Sequence, residues 1–166
     1  MASGFESSDS TEPVGSSTGL VPLAQLTSSG LIAVEEVDWS YLRRLATEAA
    51  QHAYAPYSRL QVGAAAIASN ADGLRVVVGC NVENASLGLT LCAECALIGQ
   101  LHLTGGGKLV AIVAVDGAGN ILTPCGRCRQ LLMEQGGPNL WVQGINGPRP
   151  HSELLPDWFG PEDLPK

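Results

Sequence analysis

The amino-acid sequence predicts one α/β domain of three layers, in which a mixed sheet of about five strands lies between helices. With 166 residues, 45% of them hydrophobic, the chain is long enough for one compact core and too short for two ordinary domains. In its second half, helix-like segments alternate with strand-like segments, which favours parallel pairing of the strands. Earlier in the chain, two strand-like runs joined by NADG indicate an antiparallel hairpin.

The first 35 residues differ in composition from the rest of the chain. Of residues 1–30, 15 are Ser, Thr or Gly, and none is Lys or Arg. A segment of this kind buries too little apolar surface to offset the entropy lost on ordering. We therefore expect a disordered tail over residues 1–35 and a folded domain over residues 36–166.

The predicted elements follow in order along the folded domain. Asp38 is a good N-cap for a first helix, whose apolar positions repeat at helical spacing and which we expect to end at Pro56. The later elements are strands at 60–69 and 75–81, a helix at 92–103, a strand at 108–116, a helix at 125–135 and a strand at 140–144. Two of the helices therefore begin at cysteines, Cys92 and Cys125.

Charge and hydropathy exclude several classes of function. Sixteen acidic and nine basic residues give a formal charge of -7, and without a Lys/Arg cluster the chain would repel long nucleic acids. No apolar stretch approaches the roughly 20 residues that a membrane span needs. No basic segment followed by an apolar one lies near Met1, so we expect a cytoplasmic protein with reduced cysteines and a small ligand.

Two cysteine motifs stand at the two predicted helix starts. They read CAE at residues 92–94 and PCGRC at residues 124–128. The positive end of a helix dipole favours the thiolate form of cysteine, which is the form that binds zinc. Three thiolates, from Cys92, Cys125 and Cys128, would leave one position open, as in catalytic zinc sites. Taken alone, the CxxC motif fits structural zinc or a redox dithiol better.

With these motifs in place, the chain resembles the cytidine deaminases of the short, three-cysteine, homotetrameric type. The resemblance runs from Asp38 to Lys166 and includes four further blocks, AYAPYS at 53–58, VGAA at 62–65, CNVENAS at 80–86 and ELLPDWFGPEDL at 153–164. It implies a zinc-dependent deaminase domain with the cytidine deaminase fold, one Zn(II) per chain and a homotetramer. The implied reaction, part of pyrimidine salvage, converts cytidine and deoxycytidine to uridine and deoxyuridine plus ammonia through a zinc-bound hydroxide.

Glu94 is the predicted catalytic residue. The resemblance implies that its carboxylate takes a proton from the attacking water, delivers it to N3 of the base and then moves a second proton to the departing amine. The alternative is that Glu94 merely complements the dipole in the first turn of its helix.

Arg127 is a predicted neighbour of the zinc ligands. Three thiolates on one Zn(II) leave a net negative site, for which a nearby cation would compensate. Many members of the family have an arginine directly after the glutamate, where this chain has Cys95. We expect Arg127 to take over that role, the alternative being that it points to solvent. Cys80 is interpreted as a small buried hydrophobic residue, and the same interpretation is one alternative for Cys95.

The resemblance also implies the substrate contacts. Asn81 and Glu83 would bind ribose hydroxyls, for which an amide and a carboxylate offer donors and acceptors; a turn-forming Asn with a solvated Glu is the alternative. The backbone of Ala93 would contact the pyrimidine edge, Leu60 would take the position of a base-stacking residue, and Phe159 would pack on the base from a neighbouring subunit.

Two departures from the family pattern bear on substrate choice. Leu60 and Leu87 stand where the family commonly has aromatic residues, and lost aromatic contacts of this kind are worth about 0.5–1.5 kcal/mol. One alternative is therefore a deaminase of a modified cytosine nucleoside such as a nucleoside antibiotic. A second alternative, from another class, is a catalytically silent zinc-binding module.

Overall fold

The computed structural model describes residues 33–165 of the chain. The predicted disordered tail therefore lies almost entirely outside the described residues, which begin just before a 3₁₀ turn at Val34–Glu36. The helices are α1 (Trp39–Ala50), α2 (Ala93–Leu103) and α3 (Gly126–Gly136). The strands are β1 (Val62–Asn70), β2 (Gly73–Cys80), β3 (Lys108–Asp116), β4 (Ile121–Leu122), β5 (Trp141–Gly144) and β6 (Gly147–Pro150).

The strands form one mixed sheet in the order β2-β1-β3-β5-β6, and the two-residue strand β4 pairs with β3. β3 and β5 run parallel, with Ala111 opposite Trp141, and the other pairs are antiparallel. This arrangement confirms the predicted mixed sheet. The parallel pair lies where helix and strand alternate in the sequence, because α3 connects its two strands.

The helices cover both faces of the sheet, which makes three layers. On one face, α2 and α3 pack on β1 and β3 through a core that includes Leu97, Ile112 and Leu132. On the opposite face, α1 packs through Leu42 and Ala46 against the alternate side chains of the same strands. Because β1 and β3 are buried on both faces, they read as continuous apolar runs rather than alternating ones.

Two glycines set how closely the helices lie to the sheet. A Cβ at Gly63 would lie 1.9 Å from the carbonyl oxygen of Ala46 in α1. One at Gly79 would lie 2.4 Å from the amide nitrogen of Leu97 in α2. A side chain does not fit at either contact, and the second contact presses α2 against the end of β2.

Two local predictions are confirmed and one is wrong. The NADG hairpin forms between β1 and β2, and the Asp38 carboxylate caps α1 by accepting a hydrogen bond from the Tyr41 amide at 2.9 Å. However, α1 ends at Ala50 rather than near Pro56. Beyond it the chain pairs elsewhere, because the Tyr54 amide donates to the Asn81 carbonyl at 3.1 Å.

The sheet has two outer strands, β2 and β6. The Val78 amide of β2 donates to the Gln100 side chain of α2, and the Arg75 guanidinium donates to the Leu101 carbonyl at 3.1 Å. β6 instead carries Pro148 and Pro150.

Among the helices of the described part of the chain, none is long and apolar enough to cross a membrane.

Candidate metal centre and cleft

Three cysteine side chains meet where α2 and α3 begin. Cys92 is the N-cap of α2, Cys125 is the N-cap of α3, and Cys128 lies in the first turn of α3. All three sulfur atoms lie within 4.8 Å of one another, and Cys92 Sγ is 3.9 Å from Cys125 Sγ. The two helices pack on the same face of the sheet, so their N-termini bring together motifs that are far apart in the sequence.

The spacing of the sulfur atoms fits a zinc ion. Tetrahedral coordination with Zn–S bonds of about 2.3 Å would place the sulfurs about 3.8 Å apart, close to the 3.9 Å between Cys92 and Cys125. Within residues 33–165, this trio is the one group of three or more potential metal ligands whose donor atoms converge. Three protein sulfurs leave the fourth position of a tetrahedral site open.

Burial acts against the charged form of two of these thiols. It raises the pKa of Cys92 and, together with the nearby Glu94 carboxylate, raises the pKa of Cys128 strongly. At Cys125 burial acts in the same direction, but hydrogen bonds from the Cys128 backbone amide, from the Cys128 and Cys92 thiols and from the Arg127 amide bring its pKa below the ordinary value. The lowering expected at a helix start therefore holds for Cys125 alone, and a bound cation would be needed to hold all three as thiolates.

Glu94 lies beside the three sulfurs, in the first turn of α2. Its side chain is only 4% exposed, and its Oε2 accepts a hydrogen bond from the Cys128 thiol at 3.3 Å. A carboxylate that merely complemented the helix dipole would lie at the surface in solvent. Here the acid group is buried next to the sulfur trio, where it can exchange protons with a ligand held at that point.

An open cleft of about 270 Å³ leads to the sulfur trio and Glu94. Its walls come from the segment before β1, the ends of β2 and β4, the start of α2 and the start of α3. The lining residues are Ser58, Leu60, Val62, Asn81, Glu83, Thr90, Leu91, Cys92, Ala93, Glu94, Ala114, Leu122, Thr123 and Cys125. Most are aliphatic or small and few are charged, which suits a neutral ring with polar substituents.

Asn81 and Glu83 form the polar wall of the cleft, and both also bond to the chain before β1. The Asn81 amide accepts from the Val62 N–H at 2.8 Å and donates to the Leu60 carbonyl at 2.9 Å. The Glu83 Oε2 accepts from the Tyr57 amide at 2.8 Å. The Ser58 hydroxyl and these amide bonds lower the pKa of Glu83, so the carboxylate stays charged at neutral pH.

Arg127 reaches from the start of α3 to the start of α2. Its Nη2 lies 3.6 Å from Cys92 Sγ and 3.5 Å from Cys95 Sγ, and it donates to the Thr90 carbonyl at 2.9 Å. The neighbouring Cys95 and Cys92 groups raise the pKa of the guanidinium. Arg127 is thus the cation next to the sulfur trio, although the residue itself is exposed.

The structure brings most of the sequence-predicted site residues to the cleft. Ala93 and Leu60 both line it, the latter at 49% exposure. Phe159 does not: it lies on the outer side of α3, where its carbonyl accepts from the Gln130 side chain at 2.7 Å, and it is 59% exposed.

Three further residues singled out in the sequence lie away from the cleft lining. Leu87 belongs to a 3₁₀ turn between β2 and α2 and is 72% exposed. Cys80 and Cys95 are half-buried. The interpretation of Cys80 as a buried residue is therefore wrong, and so is that alternative for Cys95, because each lies near the end of an element rather than in the packed interior.

Sequence reasoning missed several residues that line the cleft. Thr90 and Leu91 directly precede the first cysteine motif, and Leu122 and Thr123 directly precede the second. Their position next to the cysteine motifs could have indicated that they line the same cleft. Ala114, by contrast, comes from the middle strand β3, and no local pattern distinguishes it from the other small residues of the core.

Comparisons with known proteins give a consistent result. Residues 37–143 match the family model described as the cytidine and deoxycytidylate deaminase zinc-binding region. A cytidine deaminase of Mycobacterium tuberculosis is 59% identical over 131 residues, which cover 79% of this chain and 96% of that protein. A cytidine deaminase of Halalkalibacterium halodurans is 37% identical over 133 residues, which cover 77% of this chain and 98% of that protein.

Solved structures of similar proteins have the same fold. The crystal structure of cytidine deaminase from Mycobacterium leprae has a TM-score of 0.70 at 51% identity, covering 73% of this chain and 99% of that one. The crystal structure of the enzyme from Burkholderia pseudomallei has a TM-score of 0.62 at 39% identity, covering 74% of this chain and 100% of that one.

Proposed function

Because the chain belongs to the cytidine and deoxycytidylate deaminase family, we propose that it hydrolyses the 4-amino group of cytidine or deoxycytidine. The products are the uracil nucleoside and ammonia. One observation carries the proposal: the buried Glu94 carboxylate lies beside three converging thiols at the inner end of a cleft whose other polar wall is Asn81 and Glu83. The similar proteins are described as cytidine deaminases, which favours this substrate over a nucleoside antibiotic.

Cys92, Cys125 and Cys128 are the proposed ligands of one Zn(II) per chain. Their number and spacing fit a tetrahedral site with one open position. Zinc bound there would act as a Lewis acid and make water nucleophilic at neutral pH. The chain supplies the rest of the chemistry.

Glu94 is the proposed proton carrier of the reaction. As water adds at C4 of the base, the carboxylate takes its proton and delivers it to N3, which makes the ring a better electron acceptor. A second proton then passes through Glu94 to the amino group, which leaves as ammonia as the C4–N bond breaks. Only 4% of Glu94 is exposed, so bulk water has little access to the carboxylate.

The nucleoside is held by residues on both sides of the cleft. Glu83 offers its second oxygen, Oε1, to a ribose hydroxyl, since Oε2 already accepts from the Tyr57 and Ser58 amides. Ala93 and Leu60 both line the cleft, where the backbone of Ala93 would contact the pyrimidine edge and the Leu60 side chain would pack on the base. Asn81 contributes its remaining hydrogen-bonding capacity to the ribose.

Arg127 is the proposed counter-charge for the sulfur trio. Its guanidinium lies within 3.6 Å of the sulfurs of both Cys92 and Cys95. A cation at this distance favours the thiolate form of Cys92 and offsets the excess negative charge of three sulfurs. Its bond to the Thr90 carbonyl holds it there, which argues against a side chain that simply extends into solvent.

Wider features of the family lead to a further proposal about assembly and context. We propose that the chain forms a homotetramer, functions in pyrimidine salvage in the cytoplasm, and contributes Phe159 to the base site of a neighbouring copy. Phe159 is 59% exposed and lies outside its own chain's cleft, so it is available for such a contact.

The decisive experiment combines zinc analysis with an ultraviolet assay of cytidine loss. The expected result is about one zinc per chain and conversion of cytidine to uridine, with ammonia released in equal amount. A protein that binds zinc but converts neither cytidine nor deoxycytidine would support the silent zinc-binding module instead. Faster turnover of a cytosine nucleoside antibiotic than of cytidine would move the assignment to that substrate class.

A further inference from the structure

The segment before β1 is tied to the chain after β2 by side-chain hydrogen bonds. Asn81, which is 8% exposed, bonds through its amide to the Val62 N–H and the Leu60 carbonyl at 2.8 and 2.9 Å. Its own backbone N–H donates to the Val62 carbonyl at 3.0 Å. Beyond the last backbone pair of β1 and β2, the Asn81 side chain therefore makes the hydrogen bonds that the backbone of a neighbouring strand would otherwise make.

These bonds use half of what the Asn81 amide can offer. A side-chain amide has two N–H donors and an oxygen with two lone pairs. One N–H and one lone pair are committed to the backbone on either side of Gln61. Only the other N–H and lone pair are left for a ligand, and both belong to a group whose orientation is already fixed.

Leu60 needs this support because the backbone before it is strained. Arg59 has a φ of 61°, in the left-handed region that non-glycine residues seldom adopt. The Leu60 N–H bonds to the Ser58 hydroxyl at 3.0 Å, so Leu60 is held on its amide side by Ser58 and on its carbonyl side by Asn81. A strained turn of this kind persists only where the surrounding structure holds it.

We propose that Asn81 is a positioning residue for the cleft wall: by holding the backbone of Leu60 and Val62, it keeps the Leu60 side chain against the bound base. This inference rests on the proposed nucleoside deaminase activity. It gives Asn81 a role that is separate from direct contact with the ribose. Support of the wall predicts that the effect of an Asn81 substitution depends on Leu60, whereas direct contact predicts that it depends on the ribose hydroxyl. Substitutions can therefore distinguish the two roles.

The first test is a double-mutant cycle between Asn81 and Leu60. Asn81→Ala removes two hydrogen bonds, and we expect kcat/KM for cytidine to fall about tenfold, mostly through KM. In the Leu60→Ala background most of that loss should disappear, because the wall that Asn81 supports is already gone. An undiminished loss in that background would overturn the proposal.

The second test uses a substrate that lacks the 3′-hydroxyl of the ribose and leaves the cleft wall unchanged. Asn81→Ala should still lower kcat/KM for 3′-deoxycytidine several-fold, because the support of the wall is lost with either nucleoside, and only the part of the loss due to a ribose contact should disappear. Glu83→Gln keeps an oxygen that can accept from the Tyr57 amide, but it changes the group offered to the ribose, so its loss should shrink on 3′-deoxycytidine. If the Asn81→Ala loss vanished on 3′-deoxycytidine, Asn81 would act by direct ribose contact and the proposal would be wrong.

The third test does not depend on activity. Trypsin cleaves after arginine, and Arg59 is exposed in the supported turn. Cleavage after Arg59 should be faster in Asn81→Ala than in the unmodified protein, and unchanged in the control Asn139→Ala, whose side chain is exposed in a distant turn. Equal cleavage in all three would contradict a positioning role.

These outcomes separate the inference from the proposed function. Failure of the unmodified protein to convert cytidine would overturn the function, while the protease test would still report on the turn. If Asn81→Ala does not fold, Asn81→Asp replaces it, since aspartate can accept from the Val62 N–H and cannot donate to the Leu60 carbonyl. Asn81→Asp should then show the same non-additivity with Leu60→Ala.

Discussion

The starts of α2 and α3 use the same backbone conformation for different tasks. Each helix has a cysteine N-cap in extended conformation, with φ and ψ of -70° and 159° at Cys92 and -68° and 169° at Cys125. Two residues further on, α2 places the buried Glu94 and α3 places the exposed Arg127. The two helix starts therefore present a cysteine in the same geometry. The side chain two residues later differs, since Glu94 is proposed to transfer protons and Arg127 to balance charge.

The two helix starts also differ in how they are packed. Gly79 of β2 lies against the backbone of α2, where an added Cβ would be 2.5 Å from the Ala93 carbonyl oxygen. At Gly126, the first residue of α3, an added Cβ would meet nothing within 4 Å. Close packing on the sheet therefore fixes the start of α2, which carries Glu94, whereas the start of α3 has open space beside Gly126.

The largest expected effect comes from removing the acid at the start of α2. Glu94→Gln keeps the shape of the side chain but cannot carry a proton, so kcat should fall by about 10²–10⁴, the usual contribution of a general acid–base group. Zinc content should be unchanged. The assay is ultraviolet monitoring of cytidine, with the exposed Glu134→Gln of α3 as a control, and normal turnover by Glu94→Gln would remove Glu94 from the reaction.

The next effect comes from removing the cation at the start of α3. Arg127→Ala should lower zinc retention or turnover by about 10- to 100-fold, the range for groups that support metal ligands. Zinc release to a competing chelator measures the first quantity independently of activity. Arg44→Ala on the surface of α1 is the control.

Adding a cation from the α2 side tests the same charge compensation. Cys95→Arg in the Arg127→Ala background should recover part of the zinc retention, because the charge returns next to Cys92 from the other helix. A single Arg127→Ala variant with unchanged zinc retention and turnover would mean that Arg127 has no role in charge balance.

The packing difference predicts a contrast between two glycine substitutions. Gly79→Ala should destabilise the protein by about 1–3 kcal/mol, as overpacking does, because α2 must move away from the sheet. Gly126→Ala should leave stability nearly unchanged, since its site is open and alanine favours a helix. Thermal or denaturant unfolding of both zinc-loaded variants checks the contrast, and equal losses would show that the two starts are packed alike.

The smallest expected effect concerns pH and the packing beyond α3. His151 is completely buried, and burial together with the charge of Arg129 lowers its pKa. Below about pH 6.5, the ordinary value for histidine, the unfolded chain gains a proton that the folded chain resists, so the free energy of unfolding should decrease as pH falls.

His52, exposed just beyond the end of α1, supplies the control for that effect. Unfolding measured between pH 8 and pH 5 should show a smaller acid loss in His151→Asn than in the unmodified protein, and the same loss in His52→Asn. The prediction fails if the two variants have the same pH dependence.

The cysteine motifs predicted the site better than any other feature of the sequence, because each motif is local. Cys92 and Cys125 begin helices within one residue of the predicted starts, and the helix starts then bring their side chains together. The thiol pKa values could not be predicted from the motifs, because burial by the rest of the fold raises the pKa of Cys92 and, together with the Glu94 carboxylate, that of Cys128.

Features that depend on hydrogen bonds between residues far apart in the chain could not be predicted from the sequence either. The bonds from Asn81 to Val62 and Leu60 join positions 19 and 21 residues apart, and no local pattern indicates them. The end of α1 was misplaced for the same reason, because the segment after Ala50 pairs with the chain after β2. The sequence blocks that carry the family resemblance predicted a role for Asn81 and Glu83, but not which residues they contact.

Pro148 and Pro150 have a consequence for how copies of this chain meet. Proline has no amide hydrogen, and in sheets it is tolerated where that hydrogen would face away from the neighbouring strand. The free side of β6 therefore lacks two of the donors that an incoming strand would need, and this protects against edge-to-edge aggregation. Crowded copies of the chain can then associate through their side-chain surfaces, while the sheet itself does not grow from one molecule into the next across β6.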